Sequence, residues 1–425
     1  MNKSKKTVEY ILGFAVLVLV LWLGASRLAS PMLFFKLVVG IGLGYTLTRS
    51  YLGFAGSVNR AYATGSTRLM RTLMYMFSLS ATFTAALLLF KDPAADFDLW
   101  INPINFGLLL GGLLFGYGMT FSSCCASGVL TDMVTEFPKA IVTLIFFGLG
   151  VFIGFPIQRS AAWVQKSWFH SSSFENGVFL VDWFKGGPLS GYLAAVLLTL
   201  LFAGIVVACS FAYEKKRKSE GRLHQVPAEA LQDNLEKVKV EDFKLFSHQT
   251  YQKLFVDPWS LATGAVILTL IFTSLMAVTG AGWGASTPFG NWFGKLLYSF
   301  GVDADALATF TKGSADPFVN PFFSIPSNVQ NFGIILGTAI YLLTAGKLVE
   351  TAKSAFKLHW WQFLLFAMGG LSMGFGTRLA NGCNVGALYT PIANFSLSGW
   401  IWFLMMVLGG VIGNKLQKKI YDKLS

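Results

Sequence analysis

Charge is what this chain has least of. Only 13% of its 425 residues are charged, against roughly 25% in soluble domains, so a soluble globular fold is excluded. Histidine is scarce, at four residues, and no histidine or carboxylate stands beside the cysteines. That argues against a metal site or a Cys–His nucleophile. A nucleotide-binding loop is missing, so ATP hydrolysis by this chain is not expected. Nothing in the chain calls for a cofactor.

What is there is apolar. Hydrophobic residues make up 54% of the chain, with 40 phenylalanines and 12 tryptophans. The net charge of +12 would suit nucleic acid, but the lysines and arginines lie between apolar runs, the pattern of the positive-inside rule, and nucleic acid binding is not expected. A membrane span needs about 20 apolar residues. Ten candidates run over 8–28, 33–50, 68–90, 105–131, 139–157, 189–212, 259–282, 328–347, 360–386 and 397–414. Counted across ten spans, five basic clusters fall on one side: Lys3–Lys6, Arg49–Arg71, Lys215–Lys218, Lys347–Lys357 and Lys415–Lys423. Both termini are therefore expected in the cytoplasm. Arg159 and Lys166 lie on the outer side, against the rule. The first span, with Tyr10, Trp22 and Leu28, reads as an uncleaved anchor; a cleaved signal peptide ending near Ala25-Ser26 is the alternative.

Two of these segments repeat one another 258 residues apart. GGLLFGYGMTFSSCCASGVL (111–130) lies over GGLSMGFGTRLANGCNVGAL (369–388) without a gap. Shared are Gly111/Gly369, Gly112/Gly370, Leu113/Leu371, Gly116/Gly374, Gly118/Gly376, Cys125/Cys383, Gly128/Gly386 and Leu130/Leu388. Spans 3, 4 and 5 correspond to spans 8, 9 and 10, and the span count makes the halves inverted repeats with a site between them. The expected class is an all-α polytopic membrane protein of about ten spans, with inverted-topology repeats and broken or re-entrant motif helices. An N-terminal membrane half covers 1–213 and a C-terminal half 258–425. Between them, 214–257 reads as a cytoplasmic linker, with a short amphipathic helix carrying Leu231, Leu235 and Val238. The stretch 284–327 reads as an outer cap of re-entrant or interfacial helices.

The segment 360–390 would rise about 46 Å as a straight helix, well beyond a bilayer core of about 30 Å. Its glycines permit a break, and irregular backbone at membrane depth survives where it is buried or lines a cavity. Broken ends would present N–H groups to an anion. The competing reading is close packing, which Gly112-x3-Gly116 and Gly370-x3-Gly374 fit. The early glycines are expected to pack and the cysteine-side glycines, Gly128, Gly382 and Gly386, to shape a pathway.

Cys125 and Cys383 are the first candidates to line that pathway, because they recur at matched positions. Cys124 adds a thiol in the first copy only, where Gly382 stands in the second, and a vicinal disulfide is not expected. Cys209 has no motif and reads as structural. Arg378, inside the second copy, is a functional candidate because an arginine in a span costs about 2.5–3.5 kcal/mol on insertion scales; snorkelling to an interface is the alternative. Asn381 and Asn384 add amides around Cys383, and Ser122, Ser123 and Ser127 add hydroxyls around Cys125. These groups suit a small, soft anion.

At these residues the chain resembles the YeeE/YedE sulfur-transport family, whose members carry G-x-G-x-R-L-A-x-G-C-x-x-G. G374-F-G-T-R-L-A-N-G-C-N-V-G386 matches throughout, and the segment 116–128 matches more loosely. The segment 40–60 resembles the family's other signature, with Gly53 where cysteine often precedes the phenylalanine. The resemblance implies a bacterial inner-membrane permease for thiosulfate or a related sulfur or selenium compound. It further implies cysteines that relay the ion, and cooperation with small TusA-like sulfur carriers in the cytoplasm. Gly53 removes one pathway thiol. A membrane sulfurtransferase holding a persulfide on Cys125 or Cys383 is the alternative function, with Arg378 as the charge that would activate the thiol.

Overall fold

In a computed structural model, residues 3–90, 96–235, 244, 247–354 and 359–424 are described; Val238 lies outside them. The described residues are built mainly from helices. In order come α1 (Lys3–Arg27), α2 (Pro31–Arg49), α3 (Gly56–Thr64), α4 (Arg68–Leu89), α5 (Phe106–Ser122), α6 (Ala126–Thr135) and α7 (Phe137–Ser160). Then follow α8 (Ala162–Gln165), α9 (Tyr192–Ser219), α10 (Pro227–Asp233), α11 (His248–Tyr251) and α12 (Leu261–Thr279). The rest are α13 (Thr287–Ser299), α14 (Ala304–Thr311), α15 (Asp316–Val319), α16 (Pro326–Thr344), α17 (Leu348–Ser354), α18 (Trp360–Leu379), α19 (Thr390–Ala393) and α20 (Leu397–Leu424). Among the described residues β pairing is confined to isolated bridges. Local chemistry sets the helix ends. Ser30 caps α2 ahead of Pro31, Asn105 caps α5, and Gly280 closes α12 in the left-handed region.

Among the described residues nine helices are long and apolar enough to cross a membrane. The chain is a polytopic all-α membrane protein. The tenth expected span, 328–347, is present as α16 but falls outside that set. Asn328, Gln330, Asn331, Thr338 and Thr344 make it more polar, and all five are buried. The reason lies in its neighbour: α16 packs along α2, where Gly40 and Gly44 meet the backbone of Gln330, Gly333 and Ile334. A helix enclosed by protein needs no lipid-facing apolar surface.

The motif glycines do pack. Gly112 and Gly116 lie against Trp402, Met405 and Met406 of α20. Their counterparts Gly370 and Gly374 lie against Thr143 and Phe147 of α7. Between the two copies, Gly111 faces Gly376 and Gly118 faces Gly369, so α5 and α18 cross antiparallel with almost no side chain between them. Gly118 and Gly376, the last shared glycines before the cysteines, thus pack as well.

At one end of the bundle the basic segments touch one another. Arg49 donates to the carbonyls of Lys253, Leu254 and Asp257. Arg71 pairs with Glu214 at 2.7 Å and Arg68 with Asp233 at 2.6 Å. The linker helix differs from its expected form. It stops at Asp233, Leu231 is exposed, and the buried residues are Glu229 and Gln232. Glu229 accepts from Ser66 Oγ and Gln232 donates to the Ser50 carbonyl, both at 2.8 Å. Polar docking onto two loops replaces an apolar stripe. The stretch 284–327 forms α13, α14 and α15, with α13 against α7.

Candidate functional site

Both motif segments break, and they break alike. α5 ends at Ser122, Ser123 takes a left-handed φ of 53°, and Cys125 is the extended residue that opens α6. α18 ends at Leu379, Asn381 takes φ 58°, and Cys383 is the extended residue that opens a π-helical turn, Asn384–Tyr389. Ser123 and Asn381 are the same 258 residues apart as the cysteines. Serine and asparagine tolerate that backbone better than β-branched residues do. Each thiol therefore sits at the start of a helical segment, where N–H groups lack helical partners. The backbone N–H groups of Gly128 and Ala55 act on the Cys125 sulfur, and Ser127 Oγ lies 3.4 Å from it.

Two cavities approach this centre, and no residue lines both. The first, of about 820 Å³, reaches Ser123, Cys124, Cys125 and Gly128. Its wall contains Gly53, where a Cβ would meet nothing within 4 Å. Lys139 is held there between Asp132, at 2.9 Å, and Glu136. Arg60 also lines it, bonded to the Tyr51 carbonyl through Nη2, while its buried Nη1 has no partner. Lys347 stands at the same cavity.

The second cavity, of about 700 Å³, reaches Arg378 and Asn381. Arg378 is 3% exposed, so the snorkelling alternative does not hold for it. Its guanidinium donates to Thr377, Gln158, Thr287 and Ser286 at 3.2–3.3 Å. Gln158 in turn donates to Asn381 Oδ1 at 2.6 Å, joining the two motif residues.

Cys383 lines neither cavity and is fully buried. It neighbours both Cys125 and Arg378. Asn384 beside it is fully buried, with Oδ1 unpartnered and Nδ2 4.0 Å from the sulfur of Met119. Gly382 lies against Gly386, and Gly386 lies under the ring of Trp100. Cys209 is exposed. Thus the structure gathers Cys124, Cys125, Ser123 and Gly128 at one cavity, and Arg378 and Asn381 at the other. Cys383, Gly382, Asn384 and Gly386 lie apart from both. Sequence reasoning missed Gln158, Thr287, Trp100 and Asp132. Arg159, which lines the second cavity, did give a signal by violating the charge rule.

A family model described as sulphur transport matches residues 49–412. The chain belongs to the sulphur transport family. Within that family it is similar to the thiosulfate transporter TsuA of Spirochaeta thermophila, 27% identical over 79% of this chain and 86% of the relative. The thiosulfate transporter TsuA of Escherichia coli is 22% identical over 88% and 91%. The probable transporter YedE of Salmonella typhimurium is 26% identical over 38% of this chain. The chain spans about two fifths of the length of the YedE relatives, 39% and 37%. These relatives are named as transporters.

Proposed function

We propose that the chain is a permease that imports thiosulfate, or a closely related small ion containing sulfur or selenium. The observation that carries this is that Cys383 neighbours both Cys125, which lines the first cavity, and Arg378, which lines the second. An anion would meet the guanidinium and amides of Arg378, Asn381 and Gln158 first. It would then pass the buried thiol of Cys383, flanked by Gly382, Asn384 and Gly386, and leave past Cys125, Cys124, Ser123 and Gly128. Desolvating an ion in a membrane interior is prohibitive unless fixed dipoles and charges replace its water, and helix starts, amides and an arginine supply them. Thiols add soft contact for a sulfur atom.

We read the two halves as inverted repeats. The antiparallel crossing of α5 and α18, with its exchanged glycine pairs, supports this, as does the shared backbone at Ser123 and Asn381. The basic end is read as cytoplasmic and the membrane as the bacterial inner membrane, so the larger cavity opens to the cytoplasm. A small TusA-like carrier could accept sulfur there.

Radiolabelled thiosulfate uptake in vesicles, with sulfite, selenite and sulfate as competitors, tests the reading. Saturable uptake that selenium or sulfur analogues reduce is expected, and none above the empty vesicle would reject it. A persulfide on Cys125 or Cys383 in intact-mass spectra, without uptake, would instead mark a membrane sulfurtransferase.

A further inference from the structure

The second cavity holds two cations and no anion. Arg378 and Arg159 both lie over the ring of Phe155, with guanidinium carbons 5.5 and 4.6 Å from its centroid. Among the described residues neither makes an ion pair. The cation near enough to act on Arg378 is Arg159, which does so repulsively. Arg159 spends Nη1 on the Thr311 carbonyl at 2.7 Å, a neutral partner. The other polar residues lining the cavity, Gln158, Gln165, Asn176, Thr287 and Asn381, are all uncharged.

Both arginines are held where they are. Gly154 leaves room for the stem of Arg378, and Gly313 for the head of Arg159; a Cβ at either glycine would collide with the arginine. Four of the five guanidinium hydrogens of Arg378 are engaged by Thr377, Gln158, Thr287 and Ser286. The group is thus rigid and still has a donor to offer. Confining two like charges at low dielectric is unfavourable, and a single dianion between them removes the repulsion and neutralises both.

We propose that Arg159 and Arg378 form an admission site for tetrahedral dianions, which selects by charge before the thiols select by sulfur. This deepens the permease reading and rests on it for the direction of passage. The site recognises two negative charges and oxygen acceptors, which sulfate and selenate share with thiosulfate. Sulfate therefore occupies the cavity without passing Cys383, and acts as a competitive inhibitor. Arg378, almost fully buried, is reached through the cavity by a small free ion and not by a lipid headgroup.

The test is sulfate binding to the purified full-length protein in neutral-lipid nanodiscs, by calorimetry at constant ionic strength with chloride as control. Wild type binds sulfate. Arg159→Gln weakens binding about tenfold to a hundredfold, as expected for a charge-assisted hydrogen bond. Thr287→Asp places a carboxylate beside Arg378 Nη1. It raises the melting temperature without sulfate and abolishes the further rise that sulfate gives wild type. Because Thr287→Asp relieves repulsion, it keeps the test open if Arg159→Gln does not fold. Absence of sulfate binding in wild type, or wild-type binding in either variant, overturns the proposal. Arginine-dependent sulfate binding in a protein that takes up no thiosulfate would leave this site standing and reject the permease reading alone.

Discussion

A thiol at the start of a helical segment is a weak hydrogen-bond partner but a soft, polarisable one, and Cys125 and Cys383 both hold that place. Serine keeps the size and a donor but loses the soft sulfur. Cys125→Ser and Cys383→Ser should each reduce thiosulfate uptake at least tenfold while membrane yield stays normal, and Cys209→Ala should be silent. Wild-type uptake in the double serine variant would end the thiol pathway. Arg378 predicts a different signature. If it attracts the ion, Arg378→Gln raises the apparent KM with normal folded yield, and Arg378→Lys retains part of the activity, since charge remains while the planar fork is lost. Unchanged KM in a well-folded glutamine variant would remove Arg378 from the pathway. At this scale the sequence was informative where chemistry is local to the motif. The duplication marked both cysteines, a charge inside a span marked Arg378, and nearness to Cys383 marked the asparagines. Gln158 and Thr287 were not legible, because they reach Arg378 from residues 220 and 91 positions away and neither sits in a pattern of its own.

Among the elements, glycine rows decide how closely the motif helices approach. Gly374 meets the Phe147 carbonyl, so a methyl there must push α18 off α7. Gly374→Ala should destabilise the folded protein by about 1–3 kcal/mol, the range for overpacking, and lower the detergent melting temperature. Gly204, in α9, has nothing within 4 Å of an added Cβ, and Gly204→Ala should not lower it. Equal melting temperatures for the two would mean that the motif glycines serve flexibility and not packing. The helix break was legible from length, since 31 residues exceed one bilayer crossing, but its left-handed positions fall on Ser123 and Asn381 and not on glycine. The linker helix was misread for a physical reason. Apolar spacing at Leu231 and Leu235 suggested an apolar face, but α10 docks through Glu229 and Gln232 onto loop groups. α16 could pass for a lipid-facing span only while its partner α2 was unknown.

For the whole molecule, the basic segments converge at one end, and reporters fused after Lys218 and after Lys423 should both read cytoplasmic. A periplasmic signal at either would undo the proposed orientation. The two cavities that share no wall residue have an electrical consequence. On the proposed pathway, water in the two cavities would carry the bulk potential inward, and the transmembrane voltage would fall mainly across the protein septum around Cys383 and not across the full bilayer. A dianion crossing that septum inward moves two charges against an inside-negative membrane, about 4.6 kcal/mol per 100 mV. Uptake of thiosulfate alone should therefore fall steeply when a potassium–valinomycin gradient makes vesicles negative inside, and voltage-independent uptake would mean that the ion crosses with its charge already compensated by two accompanying positive charges.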